Sequence, residues 1–222
     1  MHSDESFHSD ANYETRTHDI IEDAIKLFSK LPGSGPRSAR RTILHLLKTQ
    51  SKISDIIKSL AILQANVAIC STCSNISANK QCEICTSPIR NNAILCIVED
   101  VDDLWNLERT KTYKGMYHVL GGKLSAVDNI LPHNLNIDAI LQRLSDSNSV
   151  FEEIIFANNL SPQSQTTVFY ILEQIRDLQK SGKIKEDLKI TELAHGIPIG
   201  SNFEYMDDGT ILASFNSRRV VS

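Results

Sequence analysis

The sequence predicts a multi-module α/β protein. A helical module spans 18–68, a four-cysteine ribbon 69–90, and an α/β domain with a mostly parallel sheet 91–200. Three observations lead there. Apolar residues recur at helical spacing in three stretches before residue 68. Four cysteines then fall in two Cys-x-x-Cys pairs. Beyond residue 90, short apolar runs alternate with helical patterns, an order that implies crossovers between parallel strands. A disordered acidic tail is expected at 1–17 and a C-terminal oligomerisation segment at 201–222.

The first helix starts at Asp19, with Ile20, Ile21, Ala24, Ile25, Phe28 and Leu31 on one face. Leu31-Pro32-Gly33-Ser34-Gly35-Pro36 is a tight turn. Pro36 suits the first position of a second helix, where its missing N–H is not needed. That helix carries Ile43, Leu44, Leu46 and Leu47. A third, about 52–68, carries Ile53, Ile56, Ile57, Leu60 and Leu63. Past the cysteines, strands are expected at 93–98, 117–120, 153–157 and 188–192. Helices are expected at 100–109, 135–144 and 162–180, the last stopped by Ser181-Gly182. Asp207-Asp208-Gly209 reads as a turn.

The 222 residues are 41% hydrophobic and 23% charged, ordinary for a globular protein. No apolar run approaches the roughly 20 residues needed to span a bilayer, and residues 1–18 lack the apolar core of a secretory signal. A cytosolic protein is expected, and in a reducing compartment its five cysteines are poor candidates for disulfides. The formal charge of −4 is unevenly spread. Residues 1–19 carry five acids against Arg16, a net of −4. Residues 30–60 carry seven basic residues against Asp55, a net of +6, and a local basic segment is what phosphate binding needs.

Cys70-x2-Cys73-x8-Cys82-x2-Cys85 has the spacing of two metal knuckles. Each pair presents two thiolates from one turn, and two pairs complete a tetrahedron. A closed four-thiolate shell suits one structural Zn²⁺ per chain, with no coordination position left for a substrate. Such an ion replaces a hydrophobic core in a segment too short to build one. Arg90 is placed in sequence to offset the negative charge of the thiolates. Cys96, inside an apolar strand, reads as a small buried hydrophobe.

The turn after the first helix, continued by Arg37-Ser38-Ala39-Arg40-Arg41, has the pattern of a helix-hairpin-helix. Gly33 and Gly35 let the backbone approach a phosphate without interference from Cβ. The first N–H groups of the next helix then face that phosphate. Arg37 and Arg41, four residues apart, share one face. Gly33, Gly35, Arg37, Arg40 and Arg41 are therefore the candidate DNA contacts, and contacts of this kind carry no base sequence information.

Glu99-Asp100 ends the 93–98 strand, the edge where an α/β domain places its site. This opening resembles the Toprim fold, in which that glutamate joins two aspartates of a later strand on Mg²⁺. Here Glu152 and Glu153 stand at the wrong end of the later strand. Asn158-Asn159-Leu160-Ser161-Pro162-Gln163-Ser164-Gln165 holds no acid. A hard divalent ion needs two or three carboxylates. Glu99 is accordingly read as a structural residue or partner contact, and a Mg²⁺-dependent nuclease or primase as the alternative.

From about residue 19 onward the sequence resembles the bacterial recombination mediator family RecR. The most specific stretch is Cys70-x2-Cys73-x3-Ser77-x4-Cys82-x-Ile84-Cys85-x4-Arg90. The hairpin, Leu95 to Asp100, Tyr117 to Ser125 and Leu193 to Gly200 are similar as well. The resemblance implies a DNA-binding protein without catalysis. It implies a ring-shaped clamp, a homotetramer closed through its terminal regions, which works with RecO and RecF to load RecA at single-strand gaps. The departure from the family lies after Ala157, where Gln163 and Gln165 replace acids of a face that meets RecO in relatives. The acidic tail is additional.

Overall fold

A computed structural model describes residues 17–194, 196–198 and 200–218. The predicted tail, apart from Thr17, lies outside the described residues, as do His195 and Ile199 of the 193–200 motif. The chain divides into two compact units, Met1–Asn66 and Val67–Ser222.

The first unit is helical. α1 (Thr17–Ser29) and α2 (Pro36–Lys48) are joined by the glycine turn, and α3 (Gln50–Asn66) follows. Ile25, Ala39 and Ile43 form its small core, flanked by Ile21, Ala24 and Phe28. Burying two isoleucines contributes about 2 kcal/mol each, so this core is slight. α3 buries none of its side chains: Ile56, Ile57, Leu60, Ile62 and Leu63 are all exposed.

The second unit opens with the ribbon. β1 (Ala68–Ile69) pairs antiparallel with β2 (Ile76–Ser77), and α4 (Glu83–Thr86) closes it. Next come β3 (Asn91–Val98), α5 (Val101–Arg109), β4 (Gly115–Val119), α6 (Ile137–Ser145), β5 (Glu153–Ala157), α7 (Pro162–Lys180) and β6 (Lys189–Glu192). The sheet order is β4-β3-β5-β6, and every pair is parallel. Side chains of β3 alternate between two cores. Leu95 and Ile97 pack with Ile140, Ile171 and Ile175 of α6 and α7. Cys96 and Val98 pack with Leu104 of α5. Cys96 is buried as expected, and burial pushes its thiol up to about 12.

Asp207-Asp208-Gly209 departs from the expected free turn. It starts α8 (Asp208–Asn216), with Asp207 as N-cap: Thr210 N donates to Asp207 Oδ1 at 2.9 Å. The acid-acid-glycine string that marks a turn also marks a helix start when apolar residues follow, as Ile211, Leu212 and Phe215 do.

The free edge of β4 is where the ribbon joins the sheet. Val119 N donates to Cys73 O at 2.8 Å, and Arg143 Nη1 donates to Tyr117 O at 2.6 Å. An unpaired strand edge is thereby covered. Trp105 of α5 adds a second tie, its Nε1 donating to Asn75 Oδ1 at 3.2 Å.

Candidate metal centre and nucleic-acid interface

The four predicted ligands converge. Cys70 follows β1, Cys73 ends the first knuckle, Cys82 is the N-cap of α4 and Cys85 lies within it. The first knuckle is fixed by backbone bonds, Cys70 N to Asn75 O at 2.7 Å and Ser74 N to Cys70 O at 3.0 Å. Ser74 takes a left-handed conformation, φ 62°, to close it. A tetrahedron of sulfurs at a Zn–S distance of about 2.3 Å has edges of about 3.8 Å. Cys70 Sγ is 3.9 Å from Cys85 Sγ, Cys73 Sγ is 3.5 Å from Cys82 Sγ, and all four lie within 4.8 Å of one another. The donor set and its size therefore fit a four-coordinate thiophilic ion, with Cys70, Cys73, Cys82 and Cys85 as its ligands.

Crowding sets the thiols against one another, and burial pushes the Cys82 thiol up. A hydrogen bond from Cys85 draws the Cys73 thiol down to about 5, against the desolvation that raises it. The same contact pushes Cys85 up. A metal ion held by Cys70, Cys73, Cys82 and Cys85 would supply the charge that lets all four ionise. Cys82 N donates to Cys70 Sγ at 3.2 Å.

Arg90, expected to offset the thiolates, is engaged elsewhere. It pairs with Glu108 and donates to Gly115 O at 2.8 Å. Arg143 is the cation that senses the cysteines: burial lowers its pKa, and all four cysteines act to raise it. No sequence spacing links Arg143 to residues 70–85. The sheet brings them together, because both the ribbon and Arg143 of α6 hydrogen-bond to β4, at Val119 N and Tyr117 O.

The hairpin residues also sit together. Gly33 has φ +73°, and a Cβ at Gly33 or Gly35 would meet nothing within 4 Å, so the backbone there is open to a ligand. Gly35 is the N-cap of α2 and provides no capping side chain, and Pro36 follows it. The first-turn N–H groups of a helix have no partner within the helix, and no side chain caps them here. Arg37, Arg40 and Arg41 are exposed. Arg40 pairs with Glu22 of α1 at 2.7 Å, while Arg37 and Arg41 make no ion pair among the described residues. The expected DNA contacts end at Arg41. The helix continues the stripe through His45 and Lys48, both exposed, at steps of four, four and three from Arg37. Ala39 and Ile43 face the core instead. The signal was available in the helical period alone.

Glu99 is 5% exposed at the end of β3. Its Oε1 accepts from Asn159 N at 2.9 Å, its Oε2 from Asn159 Nδ2 at 3.2 Å, and Lys123 Nζ stands 4.0 Å from Oε2. Its backbone carbonyl accepts from Gly121 N and Gly122 N, at 2.9 and 2.8 Å. The carboxylate thus ties together β3, the 121–123 loop and the 158–161 loop. Glu152 and Glu153 lie at the opposite end of β5, where Glu153 pairs with Lys189 at 3.0 Å. Among the described residues, the four cysteines are the one group of three or more potential metal ligands that converges.

A basic helical hairpin, a four-thiol ribbon and a parallel α/β domain together define a multi-module α/β protein with a candidate metal centre. Residues 93–194 match the Toprim domain family, 21–61 the helix-hairpin-helix of RecR, and 196–219 the C-terminal segment of RecR. Recombination protein RecR of Parvibaculum lavamentivorans is 42% identical over 200 residues, covering 90% of this chain and 96% of its own. The protein of the same name from Bartonella henselae is 43% identical over 201 residues, covering 89% and 94%. The chain belongs to the RecR family of recombination proteins.

Proposed function

We propose that this protein is a non-catalytic recombination mediator that binds DNA through the hairpin residues Gly33, Gly35, Arg37, Arg40 and Arg41. The observation that carries the reading is the basic stripe on α2 beside an open glycine turn. Arginines and backbone N–H groups aimed at phosphates bind any sequence, as a clamp at single-strand gaps requires. The ion at Cys70, Cys73, Cys82 and Cys85 is zinc and structural. Tetrahedral thiolate sites favour it, and a closed shell leaves no position for chemistry.

The chain acts as a homotetrameric, cytoplasmic, ring-shaped clamp, with RecO and RecF as partners, to load RecA. The exposed apolar face of α3 and the exposed Phe203, Tyr205, Leu212 and Phe215 near the C-terminus support two separate self-association surfaces. No helix among the described residues is long and apolar enough to cross a membrane. Gln163 and Gln165 are exposed on the first turn of α7. A RecO that meets this face would therefore do so without the acid pairs of relatives. Against metal-dependent phosphodiester chemistry stands the Glu99 carboxylate, held by Asn159 and Lys123 where such an enzyme would place further acids.

The test is binding to single-stranded and gapped oligonucleotides across a salt series. Arg37→Ala with Arg41→Ala should weaken binding to every sequence and reduce the salt slope by about one per lost arginine. Unchanged affinity in the double variant would remove the hairpin from the interface.

A further inference from the structure

We propose that the acidic segment at residues 1–16 competes with DNA for the basic stripe of α2. The inference rests on the reading of that stripe as the DNA contact. Asp4, Glu5, Asp10 and Glu14 stand against Arg16 alone in this segment, and α2 carries Arg37, Arg40, Arg41 and Lys48 with no acid. The two charge sets are complementary and belong to one chain.

The hairpin already binds an acidic side chain from its N-terminal side. Glu22 of α1 holds Arg40 at 2.7 Å, while Arg37 and Arg41 have no ion-pair partner among the described residues. The segment enters the fold at Thr17, the start of α1. Residues 1–16 reach at most about 55 Å when extended. Helices of 13 residues each, like α1 and α2, are about 20 Å long. The reach therefore exceeds both helices laid end to end, and every cation of the stripe is accessible. Tethering gives such a segment an effective concentration on the order of millimolar against its own hairpin. Each exposed pair is weak and screened by salt. The segment thus lowers DNA affinity without abolishing it, and does so most at low ionic strength. Loosely held nucleic acid is rejected, while a multi-site contact displaces the segment.

The experiment compares three full-length proteins by fluorescence anisotropy on a single-stranded oligonucleotide, from about 50 to about 400 mM salt. They are the parent, the charge-neutralised variant (Asp4→Asn, Glu5→Gln, Asp10→Asn, Glu14→Gln), and Arg37→Ala/Arg41→Ala. Carbodiimide cross-linking of the parent, read by mass spectrometry, is run with and without the oligonucleotide. The neutralised variant should bind about three- to tenfold more tightly at low salt, with the gap closing as salt rises. Amide cross-links from the segment's carboxylates to Lys30 or Lys48 should form and be suppressed by DNA. Equal affinity of parent and neutralised variant, or an affinity gap without those cross-links, overturns the proposal. In both cases a weakened arginine variant leaves the hairpin reading standing. An arginine variant that binds like the parent overturns both.

Discussion

Single residues decide whether the ribbon and the sheet core hold. Removing one ligand leaves three thiolates and an open position, so Cys85→Ser should lower metal content well below one ion per chain. It should also cost about 3 kcal/mol or more of stability, because metal affinity is folding energy in a ribbon this small. Metal analysis with thermal unfolding checks both. Protons compete with the metal for thiolates, so bound metal should fall as pH falls.

His118 makes a separate demand on pH. It is fully buried, with Nε2 2.9 Å from Asn136 O and Nδ1 unpartnered. A carbonyl only accepts, so Nε2 carries a proton, and burial with Nδ1 unpartnered favours the neutral ring. Desolvation draws its pKa down to about 4. Unfolded, it titrates near 6.5. Between those values the unfolded chain binds a proton that the folded chain refuses. Stability is unaffected above about pH 6.5 and is lost as pH falls through the window, by about 3 kcal/mol in all. His118→Phe should flatten the stability curve there, and an equally steep curve would show that another group sets the slope.

Elements were legible where a period and a boundary residue coincided. α7 was legible in full because Pro162 starts it and Ser181-Gly182 ends it, with Gly182 at φ +72° as expected of a C′ residue. The parallel sheet followed from strand and helix alternation. β1, β2 and α4 were not legible: two-residue strands and a four-residue helix carry no period. The cysteines announced the ribbon without announcing its elements. The site divides in the same way. The ligands and the hairpin arginines are local in sequence and were readable. Asn158, Asn159 and Lys123 converge on Glu99 only through the sheet, from residues 24 to 60 positions away.

One element start is especially constrained. A Cβ at Gly115 would collide with Tyr113 Oη and lie 2.7 Å from Ile94 O. The tyrosine hydroxyl is fixed there by donation shared between Ile94 O at 3.1 Å and Met116 O at 3.0 Å. Gly115→Ala should therefore destabilise the second unit by about 2 kcal/mol or more, through strain at β3 and β4 together. Denaturant unfolding of the variant measures it. A shift under about 0.5 kcal/mol would mean that Tyr113 swings away freely.

At the scale of the whole molecule, the apolar surface is what remains to be explained. Among the described residues, each unit has exposed apolar side chains gathered on one helix region, α3 in the first and the region around α8 in the second. A helix apolar on several sides with nothing buried does not stand alone in water. Two such patches per chain have a definite consequence. If each binds its own copy, the contacts alternate around an assembly and close at an even number, with four the smallest ring that uses both. The patches should then be separable. Leu60→Glu with Leu63→Glu should break one interface and leave dimers held by the other. Phe215→Glu should leave dimers held by α3, and the combined variant should be monomeric. Light scattering reads each mass directly. Either single set abolishing all association would mean that the two patches form one continuous interface, and a ring closed by alternating contacts would be untenable.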